Sequence, residues 1–244
     1  MPQHSCYRIS LKDRPAPAVV ERIRMPGKVR LTYFNGRGKM ESIRWLLAAA
    51  GVEFEEVHLT KREEFEKLLQ DGSLMFQQVP LVEIDGMQLV QTKAILNYIA
   101  AKYNLYGKDI KERVMIDMYS EGVRDVMEMI MMLPFLSAED QQAKLEVIES
   151  KATSRYLPVY EKALTGAEYL VGSQMTCADV HLFEANLMLE EKFPTVLCNF
   201  PHIQSFQTRM KSVPAIKKFL QPGSQRRPQP DEVYVKTVKH VLGF

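Results

Sequence analysis

Strand-like and helix-like rhythms alternate from Val29 to Lys102, and beyond Gly107 the strand signal stops. Val29 to Tyr33 reads as a short strand, followed by the turn Asn35-Gly36-Arg37-Gly38. A helix is predicted from about Met40 to Ala50, with Ile43, Leu46, Leu47 and Ala50 on one face and Gly51 where a terminating glycine belongs. Phe54 to Leu59 reads as a second strand, so the opening unit is strand–helix–strand, the signature of a parallel pair. Lys61 to Leu69 is charged and helical. Leu81–Ile84 and Gln88–Val90 flank the turn Asp85-Gly86 as a hairpin, and Thr92 to about Lys102 is a helix with Ile95, Leu96 and Ile99 inward.

The order βαβ, α, ββα over about 80 residues predicts a mixed four-stranded sheet of thioredoxin-like type. No cysteine lies between Met25 and Gly107, so the redox chemistry of a CxxC pair is absent while the fold is kept. Past Gly107, helical patterns cover about 110–133, 139–163, 176–190, 202–211, 214–219 and 232–242, punctuated by Pro134, Pro158, Pro194, Pro201, Pro214 and Pro222. Thr176-Cys177-Ala178-Asp179 is a capping box with a folding role. The expected fold class is a thioredoxin-like α/β N-terminal domain, 25–107, followed by an all-α C-terminal domain, 108–244. Residues 1–24 hold three prolines and five basic residues without a periodic apolar face, and are expected to be a disordered extension ahead of Met25.

Composition removes several classes of function. Thirty-two Lys+Arg against 30 Asp+Glu leave a net charge of +2, too weak a field to recruit nucleic acid or an anionic membrane. The longest apolar runs are too short or too interrupted by charge to span a bilayer. Cys6, Cys177 and Cys198 form neither a disulfide scaffold nor metal-ligand spacing, and no metal is expected.

Tyr33-Phe34-Asn35-Gly36-Arg37-Gly38-Lys39-Met40-Glu41-Ser42-Ile43-Arg44-Trp45-Leu46-Leu47, Met75-Phe76-Gln77-Gln78-Val79-Pro80, Leu89-Val90-Gln91-Thr92, Tyr103 to Asp109 and Lys218 to Ser224 occur in this order. Together they resemble a cytosolic glutathione transferase of the alpha class, from Met25 to Phe244. The resemblance implies an enzyme that joins the glutathione thiolate to hydrophobic electrophiles, with glutathione as cosubstrate and no bound cofactor.

Such chemistry needs a thiolate, and a free thiol of pKa about 8.5 is ionised only to a few per cent at neutral pH. Lowering that value by about two units takes roughly 2.7 kcal/mol, within reach of one or two charged hydrogen bonds. The resemblance gives that donor role to Tyr33, although a lone tyrosine near a strand end is otherwise a packed aromatic. It places Lys39 near the sulfur, where the class usually has arginine; lysine keeps the charge and loses the planar fork. Val79-Pro80 resembles the family's cis-proline turn, presenting the Val79 backbone to the peptide-like cosubstrate beside Gln78. Gln91 and Thr92 open a helix, where amides and the dipole favour the γ-glutamyl carboxylate; Thr92 also reads as a plain cap. The arginine the family often supplies for the glycine carboxylate is replaced by Leu69, with Lys67 or Gln70 as substitutes, so weaker glutathione affinity is expected. Asp125 and Arg155 match positions that reach towards a partner's glutathione, and Phe76 matches the aromatic anchor of a two-fold dimer, homodimeric or with a same-class partner. From sequence alone Phe76 equally reads as core.

For the hydrophobic substrate, the resemblance names Phe34, Gly36, Met131, Met132, Phe135 and the C-terminal helix ending at Phe244. That helix carries Val233, Val235, Val238, Val241 and Leu242 and is expected to act as a mobile lid. Pro134-Phe135-Leu136 and Asp231 to Val235 resemble the branch that favours reactive alkenals, in which Tyr234 would polarise the aldehyde; a half-exposed helix aromatic is the plain alternative. Hydroperoxide reduction and ketosteroid isomerisation belong to the same class. A cytosolic enzyme is expected, and a non-catalytic store for apolar ligands, or a structural crystallin-like descendant of the fold, stands as the rival.

Overall fold

The computed structural model describes residues 27–243. The expectations for residues 1–24, for Met25 and for Phe244 lie outside them. Strand β1 (Val29–Tyr33) pairs in parallel with β2 (Phe54–His58) and antiparallel with β3 (Leu81–Ile84), which pairs antiparallel with β4 (Met87–Val90). The sheet order is β2-β1-β3-β4, the mixed four-stranded sheet expected. Parallel pairing of β1 and β2 follows from the crossover helix α1 (Glu41–Ala49), which a 3₁₀ turn at Gly38–Met40 introduces. Gly51, at φ +70°, ends it in the left-handed conformation that glycine adopts without strain. Helices α2 (Arg62–Gln70) and α3 (Thr92–Lys102) complete this thioredoxin-like half.

The second half is helical: α4 (Ile110–Met132), α5 (Ala138–Lys151), α6 (Leu157–Ala163), α7 (Cys177–Lys192), α8 (Pro201–Ser212), α9 (Pro214–Phe219) and α10 (Glu232–Leu242). The single helix expected over 139–163 is instead two, joined by a π-helical segment at Ala152–Tyr156. Pro158 explains the break: it offers no N–H to the carbonyl four residues back, and its ring crowds that carbonyl.

The two halves share one apolar core. Leu31, Ile43, Leu46, Val82, Ile95 and Ile99 are fully buried around the sheet. Trp45 of α1 reaches across to meet Phe183 of α7 and Phe219 of α9 edge-on, with ring centroids 5.5 and 4.8 Å away. Helix α7 starts at the expected box: Asp179 accepts from the Thr176 N–H at 2.7 Å and its hydroxyl at 2.8 Å, and from the Leu170 N–H at 2.8 Å. Among the described residues, no helix is long and apolar enough to cross a membrane.

Candidate active site

The end of β1 delivers Tyr33 to a cavity of about 530 Å³, in the range of small-molecule sites, where the sheet half meets α4, α7 and α10. Its walls hold Tyr33, Phe34, Lys39, Gln78, Val79, Pro80, Gln91, Thr92, Met131, Met132, Phe135 and Tyr234, twelve of the residues singled out by sequence.

Tyr33 is buried, and the edge of its ring meets Phe34 at 5.2 Å between centroids. Its hydroxyl oxygen accepts from the Lys39 backbone N–H at 3.2 Å and lies beside the Tyr234 hydroxyl. Burial raises the Tyr33 pKa above the ordinary tyrosine value, although the Lys39 amide, Tyr234 and Arg44 pull the other way. The phenol therefore stays protonated at neutral pH and able to donate. The Lys39 N–H on its oxygen polarises that O–H further. Lys39 meets Tyr33 through its main chain, while its side chain is exposed at the cavity rim.

The loop that carries this arrangement is shaped by close approach. A Cβ at Gly38 would collide with the Tyr33 hydroxyl, and one at Gly36 would collide with the Tyr234 ring. Gly36 is thus not part of the cavity wall as expected; it is the floor on which a wall residue rests. Arg44, fully buried, fixes the loop by donating to the Gly36 carbonyl at 2.8 Å, to Glu41 at 2.9 Å and to Glu56 at 2.8 and 2.9 Å. Burial raises the Glu41 pKa against the pull of Arg44, whereas Arg44 and Arg227 overcome burial at Glu56 and hold it below the usual carboxylate range. Arg37 donates to both oxygens of Glu191 at 2.6 and 2.9 Å and to the Arg227 carbonyl at 2.8 Å. This tethers the segment leading to α10.

The opposite rim is built on strained backbone. Gln77 and Gln91 sit at φ +56° and +68°, either side of the cis Val79–Pro80 peptide. Left-handed backbone without glycine is uncommon and concentrates at functional sites. The Gln91 amide donates to the Gln78 side-chain oxygen at 3.2 Å. Gln91 is also the residue preceding α3, so the first amides of that helix open towards the cavity.

Other expected residues lie elsewhere. Asp125 and Arg155 are exposed and outside the cavity wall; Asp125 accepts from the Tyr156 hydroxyl at 3.3 Å. Phe76 is 58% exposed beside an exposed Met75, which removes its reading as core in this chain. Leu69 packs against the core, and neither Lys67 nor Gln70 reaches the cavity wall. Tyr234 is buried against Phe135 at 6.3 Å between centroids, correcting the reading of it as half exposed, while Val233 faces solvent. Met127, one of the methionines the sequence crowds at this end of α4, lines the cavity too, whereas sequence reasoning passed over Ser120 and Arg124, at i−7 and i−3 from it on the same face, and His181, which burial lowers to about 4 and keeps neutral. No group of three His, Cys, Asp or Glu side chains among the described residues is placed to hold a metal ion.

Residues 29–101 match the family model described as glutathione S-transferase, N-terminal domain, and residues 124–223 match glutathione S-transferase, C-terminal domain. Glutathione S-transferase 3 of Gallus gallus is 62% identical over 89% of this chain and 96% of its own length. Glutathione S-transferase A4 of Mus musculus is 59% identical over 90% of this chain and all of its own. The solved glutathione S-transferase from Ascaris lumbricoides superposes with a TM-score of 0.70 at 30% identity, over 84% of this chain and 99% of that one. With both family domains matched and relatives covered over nearly their whole length, the chain belongs to the alpha class of the glutathione S-transferase family.

Proposed function

We propose that the chain binds glutathione at the strained rim and joins it, through its sulfur, to apolar electrophiles held against α4 and α10. The observation that carries this reading is Tyr33: a buried, protonated phenol with the Lys39 N–H on its oxygen and a position on the cavity wall. Glutathione lies with its γ-glutamyl carboxylate at Gln91 and Thr92 and its backbone along Val79, and Gln78 flanks it. Tyr33 donates to the sulfur, and Lys39 adds positive charge at the rim. The thiol proton passes to solvent and the thiolate attacks an electrophilic carbon: in a substitution the leaving group departs with its electron pair, and in addition to an alkenal the pair moves onto the carbonyl oxygen and the α-carbon then takes up a proton. Phe34, Met131, Met132, Phe135 and Tyr234 enclose the apolar part of the second substrate, a surface that suits reactive alkenals among other electrophiles. Helix α10 is a lid over this end of the cavity.

The domain boundaries follow as 25–107 for glutathione binding and 108–244 for the hydrophobic substrate, in a cytosolic protein. Exposed Phe76 suits an anchor on a partner subunit, and Asp125 and Arg155, exposed and outside this chain's own cavity wall, suit contact with the partner's glutathione. Sedimentation of wild type beside Phe76→Ala tests the anchor; an unweakened dimer removes it. The activity itself is tested by mixing the purified chain with glutathione and a chloro-nitroarene and following the thioether. Tight binding of an apolar fluorescent dye without thioether formation would favour the ligand-store reading instead.

A further inference from the structure

Helix α10 is held over the cavity by contacts at both ends, and the outer contact comes from the sheet half of the molecule. Tyr234, Val238 and Val241 form its buried stripe, and Val238 and Leu242 face the cavity. The last carbonyls of any helix lack intrahelical donors. For α10 one donor is Arg62, the first residue of α2, whose Nη1 lies 3.3 Å from the Val241 carbonyl oxygen. Its guanidinium covers Gly243, which ends α10 at φ +80°, so closely that a Cβ there would collide with it. Glu66, one turn along α2, accepts from Arg62 Nε at 2.8 Å and fixes the group in place. Lys239 and His240 already occupy the last turn of α10, so Arg62 adds a cation at the negative end of the helix dipole.

We propose that Arg62 is a positioning residue for the transferase reaction, which caps α10 and sets how long the helix stays closed over a bound conjugate. The inference rests on the reading of α10 as a lid. Arg62 is absent from the cavity wall and touches no reacting atom, so its effect falls on closure and release. One part-exposed hydrogen bond from a charged donor shifts a closed–open ratio by about threefold to tenfold.

The test uses S-hexylglutathione as a conjugate mimic, with stopped-flow release rates and hydrogen exchange of residues 232–242, in wild type, Arg62→Ala and Arg62→Lys. The expected result is slower exchange in α10 when the mimic binds wild type. Arg62→Ala then releases the mimic about threefold to tenfold faster and exchanges faster in α10, and Arg62→Lys lies between. A merely structural role would lower the melting temperature without changing release. Release from Arg62→Ala within twofold of wild type, with α10 still responding to the mimic, overturns the role of Arg62 and leaves the lid standing. If α10 exchange in wild type ignores the mimic, the lid reading fails and this inference falls with it.

Discussion

Replacing Tyr33 with phenylalanine removes one oxygen from the cavity wall and leaves the ring packed on Phe34. A hydrogen bond to an ionised sulfur contributes about 1.5–3 kcal/mol, or about one to two pKa units at roughly 1.4 kcal/mol each. With the two-unit case, the bound thiol moves from about 6.5 to about 8.5, and the thiolate fraction at pH 7 falls about 25-fold. The more basic sulfur is also the better nucleophile, and a Brønsted slope of about 0.4–0.5 recovers up to about tenfold. The net loss in kcat/KM at pH 7 therefore lies between about 2.5-fold and about 25-fold. It widens towards lower pH and closes between about pH 7.5 and about pH 9.5, as free ionisation takes over.

The same substitution has a second consequence. The Lys39 N–H loses its acceptor. A buried donor left unmatched costs about 1–3 kcal/mol, and each kcal/mol lowers the melting temperature of a chain this long by about 2–4 °C. The assay is chloro-nitroarene conjugation from about pH 6 to about pH 9.5, with the thiolate absorbance of bound glutathione titrated in parallel. A wild-type-to-variant ratio that stays flat across this range, or a bound-thiol pKa that does not move, would refute the assignment of thiolate stabilisation to Tyr33.

Two further outcomes follow from the packing. In Gly36→Ala the new methyl group meets the Tyr234 ring, so the ring must leave its bed and α10 loosens; affinity for S-hexylglutathione should fall several-fold, and wild-type affinity would show that this contact does not hold the helix. Burial, reinforced by the charge of Glu41, pushes Glu184 up to about 8, against about 4.3 in the unfolded chain. The native state therefore binds the extra proton between those values, and stability falls as pH rises through them, by up to about 1.4 kcal/mol per unit. Glu184→Gln removes this dependence, so denaturant titrations should show the variant gaining on wild type from about pH 5 to about pH 8, and a constant difference would sink the argument.

What was legible in the sequence is what short-range chemistry controls. Val29–Tyr33, the Asp85-Gly86 hairpin and the Thr176–Asp179 box each rest on residues within a few positions of one another, and all three form where expected. The donor half of the site is local too: Tyr33 and the Lys39 amide are six residues apart, joined by a loop whose glycines the close approach demands. The rest depends on distance along the chain. Arg37 finds Glu191 across 154 positions, and Arg62 finds the Val241 carbonyl across 179. Tyr234 is buried because Gly36 leaves room for it, not because of its own neighbours in α10. The left-handed backbone at Gln77 and Gln91 has no glycine to announce it, since the surrounding fold imposes it. On the proposed reading, the apparatus that ionises a thiol is written in one short motif, whereas the cavity walls and α10 depend on partners brought together by topology. Substitutions in α10, α2 or the segment before α10 can then alter which electrophile is held, and for how long, while the Tyr33 motif stays intact. Substrate preference is free to vary at the end of the cavity where sequence motifs are least informative.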